Sequence, residues 1–161
     1  MRYLILFMLP AILSCGQAKV KDVTIEGKKS KPITGLAPSA VHDKFTKKGF
    51  KLDKDSTAEL TTWTSVENNE MHEFKVITNA TTTGKVLSVQ ASIFSMLTLD
   101  QPAMDFAGDV ASISYKYADP QKAKQWAVAN LNGGGSTKIG DVTFQITAQG
   151  ETSRMLKIFV E

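Results

Sequence analysis

The stretch that decides the fold, "KVLSVQASIFSML" (residues 85–97), alternates apolar and polar side chains along its centre. Apolar side chains stand at every second position, at Leu87, Val89, Ala91 and Ile93. Residues two apart share one face of a β-strand, so this pattern predicts a strand with one buried face.

The same alternation marks two earlier stretches, "AELTTWTSV" (58–66) and "HEFKVIT" (72–78). The turn-forming links "ENNE" (67–70) and "NATTTGK" (79–85) separate these strands from each other and from the quoted stretch. Short links of this kind favour antiparallel pairing of neighbours. A shorter strand is expected to start at residues 50–52.

Three stretches change to helical spacing. In "GLAPSAVHDKFTKKGF" (35–50) Pro38 suits a first helical turn and Gly49 a helix end, after which Phe50 folds back on the last turn. "PAMDFAGDVASISYKY" (102–117) repeats apolar residues every three or four positions. "DPQKAKQWAVANL" (119–131) opens with an aspartate N-cap and a proline, and carries Trp126 on its apolar stripe.

The chain returns to strands in "DVTFQIT" (141–147) and "MLKIFV" (155–160), which "AQGETSR" (148–154) joins as a hairpin. The order of elements predicts an α+β domain, a mostly antiparallel β-sheet with about three helices packed on one face. "KVKDVTIEG" (19–27) is expected to add one edge strand. We expect a signal peptide over residues 1–14, a lysine-rich tether over 15–33 and a single domain over 34–161.

The N-terminus has the layout of an export signal. Arg2 is followed by an uncharged apolar stretch from Tyr3 to Leu13, and the small Ser14 precedes Cys15. A membrane-spanning helix needs about 20 apolar residues, so this shorter stretch favours cleavage over anchoring.

Cys15 is the only cysteine in the chain, so it has no partner for an intramolecular disulfide. Ile12, Leu13, Ser14 and Cys15 resemble the lipobox of bacterial lipoprotein signal peptides. That resemblance implies a thioether-linked diacylglycerol and an N-linked acyl chain on Cys15, and Gly16, in place of aspartate, implies sorting to the outer membrane. A plain secretory signal, or an N-terminal helix with an incidental cysteine, is the alternative.

Lysines crowd the stretch after Cys15, at positions 19, 21, 28, 29 and 31. They either attract anionic lipid head groups or keep a tether solvated and extended. The whole chain nearly balances 19 Lys and Arg against 16 Asp and Glu, without the basic patch of a nucleic-acid-binding protein.

Catalytic signals are weak. His42 and His72 are the only imidazoles, and both are interpreted as solvated surface side chains. Asp105 and Asp109 lie one helical turn apart and could act as an acid–base pair, although they also fit the solvent edge of a helix. "GGGSTK" (133–138) has the glycines of a phosphate loop but follows a helix and leads to a strand, so it is interpreted as a flexible helix stop.

Aromatic residues offer one candidate binding surface. Trp63 shares its strand face with Thr61 and Ser65, so its ring is expected on an exposed polar sheet face. Tyr115 and Tyr117 are further candidates for a ligand pocket, whereas Trp126 is expected to pack in the core.

These observations favour a non-enzymatic lipoprotein on the periplasmic side of a bacterial membrane that binds another envelope molecule. No cofactor or metal is expected, and the partners are the membrane and a further protein or envelope component. The alternatives are an envelope hydrolase using Asp105 and Asp109, or an immunity or phage-exclusion lipoprotein.

Overall fold

The structure is a computed structural model that describes residues 24–25 and 28–161. The expected signal peptide, Cys15, Gly16, Lys19 and Lys21 lie outside the described residues. The expectations about them therefore stay predictions.

The described residues form nine strands and three helices. In chain order they are β1 (Thr24–Ile25), β2 (Lys28–Lys29), α1 (Pro38–Thr46), β3 (Lys51–Ser56), β4 (Leu60–Asn68), β5 (His72–Thr81), β6 (Val86–Ser95), α2 (Gln101–Ala111), α3 (Pro120–Asn130), β7 (Gly135–Ile139), β8 (Val142–Ala148) and β9 (Ser153–Phe159).

Seven of the strands form one antiparallel sheet in the order β3-β4-β5-β6-β9-β8-β7. The central strand, β6, lies within the alternating stretch of residues 85–97. The α+β class, the antiparallel pairing and the final hairpin are therefore confirmed.

The prediction that residues 19–27 add an edge strand to the sheet is wrong for residues 24–25, the part of this stretch that the structure describes. Among the described residues β1 pairs with β2 alone, and β3 and β7 form the two edges of the large sheet. The chain meets that sheet afterwards, through a bridge from Lys31 to Val160 and a hydrogen bond from the Ile33 N–H to the Val86 carbonyl (2.8 Å). Ile33 is 2% exposed, so the packed core reaches back to this residue.

The helices begin and end where the sequence indicated, with one exception. Asp119 accepts a hydrogen bond from the Lys122 N–H (3.0 Å) as the N-cap of α3, and Gly49 has φ 93° after α1. Phe50 folds back as expected, because its N–H donates to the Phe45 carbonyl (3.1 Å).

The exception is α2, which ends at Ala111 instead of running to residue 117. The sequence "SIS" (112–114) follows, and serine and β-branched residues favour helix interiors less than alanine. The hydroxyl of Ser112 donates to the Asp109 carbonyl (3.1 Å), and Tyr117 has φ 63°, outside helical geometry.

Four phenylalanines join α1, α2 and the sheet. The Phe106 ring of α2 stacks on Phe74 of β5 with centroids 4.6 Å apart, and Phe45 and Phe50 lie within 6 Å of it. All four side chains are buried. Aromatic rings at these separations add to the free energy gained by burial, so this cluster holds two helices on the sheet.

The segment 133–138 is not a flexible helix stop throughout. From Gly135 onward it is strand β7, which pairs with β8 in the register Thr137–Phe144. The residues "GSTKI" have no strong strand alternation of their own, so pairing with β8 decides their conformation.

Arg154 is buried although it belongs to a stretch that was expected to form a turn. Its guanidinium donates hydrogen bonds to the backbone carbonyls of Leu131 (2.8 Å), Asn132 (2.9 Å), Gly150 (2.7 Å) and Ser153 (2.8 Å). The first two carbonyls end α3, where a cation is favourable, and the others form the β8–β9 turn. One side chain thus ties a helix end to a hairpin.

Candidate functional site

The expected exposed polar face around Trp63 is wrong. Thr61 (7% exposed) and Ser65 (0%) are buried, and the Trp63 ring is partly buried against the core. The reason is α1, whose His42 ring stacks on Trp63 with centroids 5.2 Å apart, while Lys54 of β3 lies over the indole. These residues have a packing role in the structure.

His42 was expected to be solvated, but it is only 5% exposed. Both ring nitrogens lack a hydrogen-bond partner in the described part of the chain, as do the buried hydroxyls of Ser65 and Thr78. Thr78 faces Trp63 across the β4–β5 pair, so these polar atoms lie together beneath α1. Burial lowers the pKa of His42 below its ordinary 6.5, although the neighbouring Asp43 opposes this shift.

The buried His42 predicts acid sensitivity. Because the folded state lowers its pKa, the unfolded chain binds a proton more readily, and stability is lost as the pH falls below about 6.5. In His42→Phe, the free energy of unfolding should depend less on pH in this window. Denaturant titrations at a series of pH values measure this, and identical slopes for wild type and variant would contradict it.

His72 is also not a solvated surface side chain, being 10% exposed. Its Nε2 lies 2.9 Å from Oδ2 of Asp100, the N-cap of α2, and its ring stacks on Phe74. Partial burial alone would raise the pKa of Asp100, but hydrogen bonds from His72 and from the Ala103 N–H outweigh it and lower that pKa. The pair therefore fastens the start of α2 to the start of β5.

The two aspartates considered for catalysis have separate partners. Asp105 is exposed and accepts a hydrogen bond from the Gln101 amide (2.9 Å). Asp109 forms ion pairs with Lys48 and, at 3.8 Å, with Lys44. The Asp105 contact lies within α2, and the Asp109 ion pairs link α2 to α1 and the turn after it. Both carboxylates therefore have structural partners.

The remaining aromatic candidates do not form one pocket. Tyr115 is 9% exposed and donates to the Ile139 carbonyl (3.1 Å), and burial, with the charges of Asp141 and Asp119, raises its pKa to about 12. Tyr117 is 72% exposed. Trp126 is partly buried edge-on to Phe144, which confirms that it packs against the core.

A different surface gathers large exposed apolar side chains at one end of the sheet. We call it the apolar tip, and it consists of Met71 (40% exposed), Phe94 (44%), Met96 (63%) and Leu97 (71%). The Met96 N–H donates to the Met71 carbonyl (2.9 Å), so the loop after β6 lies beside the loop before β5. Single exposed apolar side chains are ordinary, whereas several together mark interaction surfaces.

Four carboxylates surround the apolar tip, and we call them the acidic rim: Glu70, Glu73, Asp100 and Glu151. Glu70 precedes Met71 in the chain, and Glu73 lies directly opposite Phe94. Asp100 contacts His72, the residue after Met71. Glu151 precedes Thr152, whose carbonyl accepts from the Ser95 N–H (3.1 Å).

Sequence reasoning missed the apolar tip, although one signal was available. Phe94 stands at a position that continues the polar face of β6, after Ser88, Gln90 and Ser92. A large apolar residue in that series breaks the polar pattern at the end of the strand. The two residues Met96 and Leu97 then follow beyond it.

Within residues 24–25 and 28–161, no group of three or more His, Cys, Asp or Glu side chains could hold a metal ion. Over the same residues, every helix is too short or too polar to cross a bilayer. Comparisons with models of known protein families, with curated proteins and with solved structures give no significant match.

Proposed function

We propose that this protein is a lipid-anchored lipoprotein of the bacterial envelope, facing the periplasm from the outer membrane, that acts as a non-enzymatic binding module. The lipobox-like residues 12–15 support the anchor, and the resemblance assigns Cys15 as its lipidated residue. The apolar tip supports the binding role.

The observation that carries the proposal is the position of the apolar tip relative to the N-terminal segment. That segment meets the sheet at Val86 and Val160, where β6 starts and β9 ends. The apolar tip lies where β6 ends and β9 starts. At about 3.3 Å per residue, the length of β6 separates the two ends by about 30 Å. We propose that an anchor at Cys15 keeps the Val86 and Val160 end of the sheet towards the membrane, which leaves the tip at the opposite end, free for a partner.

We also propose that the three helices cover one face of the sheet. The ring contacts of His42 with Trp63, Phe106 with Phe74 and Trp126 with Phe144 support this arrangement. Strand register supports it as well, because the partners Trp63, Phe74 and Phe144 fall on the same side when the pairing is followed across the sheet.

Photocrosslinking in living cells tests the binding role. A photoreactive amino acid at position 97, in the apolar tip, should give a discrete crosslinked product. The same amino acid at position 82, in the exposed turn at the other end of the sheet, should not give it. A product of equal yield from both positions, or none from position 97, would refute a binding role for the tip.

A further inference from the structure

We infer that the apolar tip and its acidic rim dock a protein segment that carries lysine or arginine side chains beside apolar ones. This inference rests on the proposed binding role and names the chemistry of the partner.

The apolar part of the surface is well exposed and lies at the ends of β5 and β6 and in the loops beside them. Met96 and Leu97 are 63% and 71% exposed, more than the other large apolar side chains of the described residues except Tyr117. Met71 and Phe94 extend the same surface onto the ends of β5 and β6. Burying such side chains against apolar partners is the main source of binding free energy at protein interfaces.

The charge close to the tip is acidic, and the first lysine along β5, Lys75, lies two positions beyond Glu73 on the same strand face. Residues 67–74, 94–106 and 149–153, which build this end of the domain, contain six Asp and Glu but no Lys or Arg. The whole chain has a formal net charge of +3, so the acidity is a local feature. Arg154 follows residues 149–153 in the chain, but its guanidinium donates hydrogen bonds to backbone carbonyls and does not pair with the acidic rim.

This combination selects a basic, partly apolar protein segment over a bilayer. Anionic lipid head groups would be repelled by Glu70, Glu73 and Glu151, which are exposed. The tip also lies at the end of the sheet away from the N-terminal segment that would carry the lipid. A cationic segment meets complementary charge at the rim and apolar side chains at the centre.

Synthetic peptides test the inference with the full-length protein in detergent micelles. A fluorescent peptide of alternating lysine and leucine should bind, measured by fluorescence anisotropy after subtraction of protein-free micelles. Matched peptides that replace lysine by glutamate, or leucine by serine, should bind at least about tenfold more weakly. The first lacks the positive charges that the acidic rim attracts, and the second lacks the apolar side chains that contact the tip. Equal binding of either matched peptide would overturn the inference.

Two double variants locate the binding site. Met96→Ser with Leu97→Ser removes exposed apolar surface, and Glu70→Lys with Glu73→Lys reverses the charge of the rim. Each should weaken lysine–leucine peptide binding about tenfold or more while leaving the melting temperature near that of wild type, since all four side chains are exposed.

Asp53→Lys with Asp55→Lys is the matched control, because it makes the same change of charge on the exposed edge strand β3. It should retain peptide binding. An equal loss in this control would show non-specific attraction and overturn the inference. Stronger binding of the wild type to anionic phosphatidylglycerol vesicles than of the Met96→Ser, Leu97→Ser variant would favour a membrane role instead and overturn the inference.

Failure of this inference and failure of the proposed function give different results. A protein that crosslinks at position 97 in cells but does not bind the lysine–leucine peptide refutes the inference and retains the binding role. A protein that binds the peptide in micelles but gives no crosslink at position 97 in cells refutes the proposed function.

Discussion

Replacing Cys15 by alanine should abolish both palmitate labelling and membrane association of this protein. Thioether lipidation needs the cysteine sulfur, and alanine has none. Several acyl chains, at about 0.8 kcal/mol per buried CH₂, make membrane attachment effectively permanent, whereas the unlipidated variant loses all of that free energy. Metabolic labelling with a palmitate analogue, followed by fractionation of the envelope, measures both effects.

The neighbouring residue supplies the control for this experiment. Gly16→Asp should keep the label, because Cys15 is intact, but should shift the protein from the outer-membrane to the inner-membrane fraction, as the resemblance to bacterial lipoproteins implies. An unlabelled wild type, or a labelled Cys15→Ala variant, would remove the lipoprotein assignment.

Arg154→Ala should be among the most destabilising substitutions in the folded domain. It leaves the carbonyls of Leu131, Asn132 and Gly150 without their side-chain donor. Leu131 is buried and its carbonyl without a partner costs about 1–3 kcal/mol, whereas Asn132 and Gly150 are exposed and add less, so the free energy of unfolding should fall by about 3 kcal/mol. For a chain of this size the melting temperature should fall by about 10 °C or more.

Thermal melting of the full-length protein in micelles, followed by circular dichroism, measures this loss. Lys138→Ala is the matched control, because Lys138 is an exposed cation on the edge strand β7. It should melt within a few degrees of wild type. If Arg154→Ala did so too, the hydrogen bonds of its guanidinium would not be holding α3 to the hairpin.

The burial of histidine shows where sequence reasoning stops. Val41 and Phe45 lie one helical turn apart in α1, and both are 0% exposed. His42 is adjacent to them and polar, so nothing local distinguished it from a surface residue. It became buried because the Trp63 ring of β4, more than 20 positions away in the chain, covers it. Arg154 was misjudged for the same reason, since its acceptors at residues 131 and 132 come from another element.

The sequence by itself determined the elements whose causes are local. Alternation of side chains predicted β4, β5 and β6, and the aspartate and proline at the start of α3 predicted its first turn. These signals depend on residues that are close in the sequence, so the sequence alone is enough to recognise them. They were enough to predict an antiparallel α+β domain.

Only the tertiary structure decided which polar residues are buried and which apolar residues remain exposed. β7 exists because β8 pairs with it, and Trp63 is covered because α1 lies over β4. The apolar tip exists because the ends of β5 and β6 bring Met71 beside Met96 with no further element packed over them among the described residues. Burial depends on contacts between residues distant in sequence, and so the candidate binding surface became visible only in the folded chain.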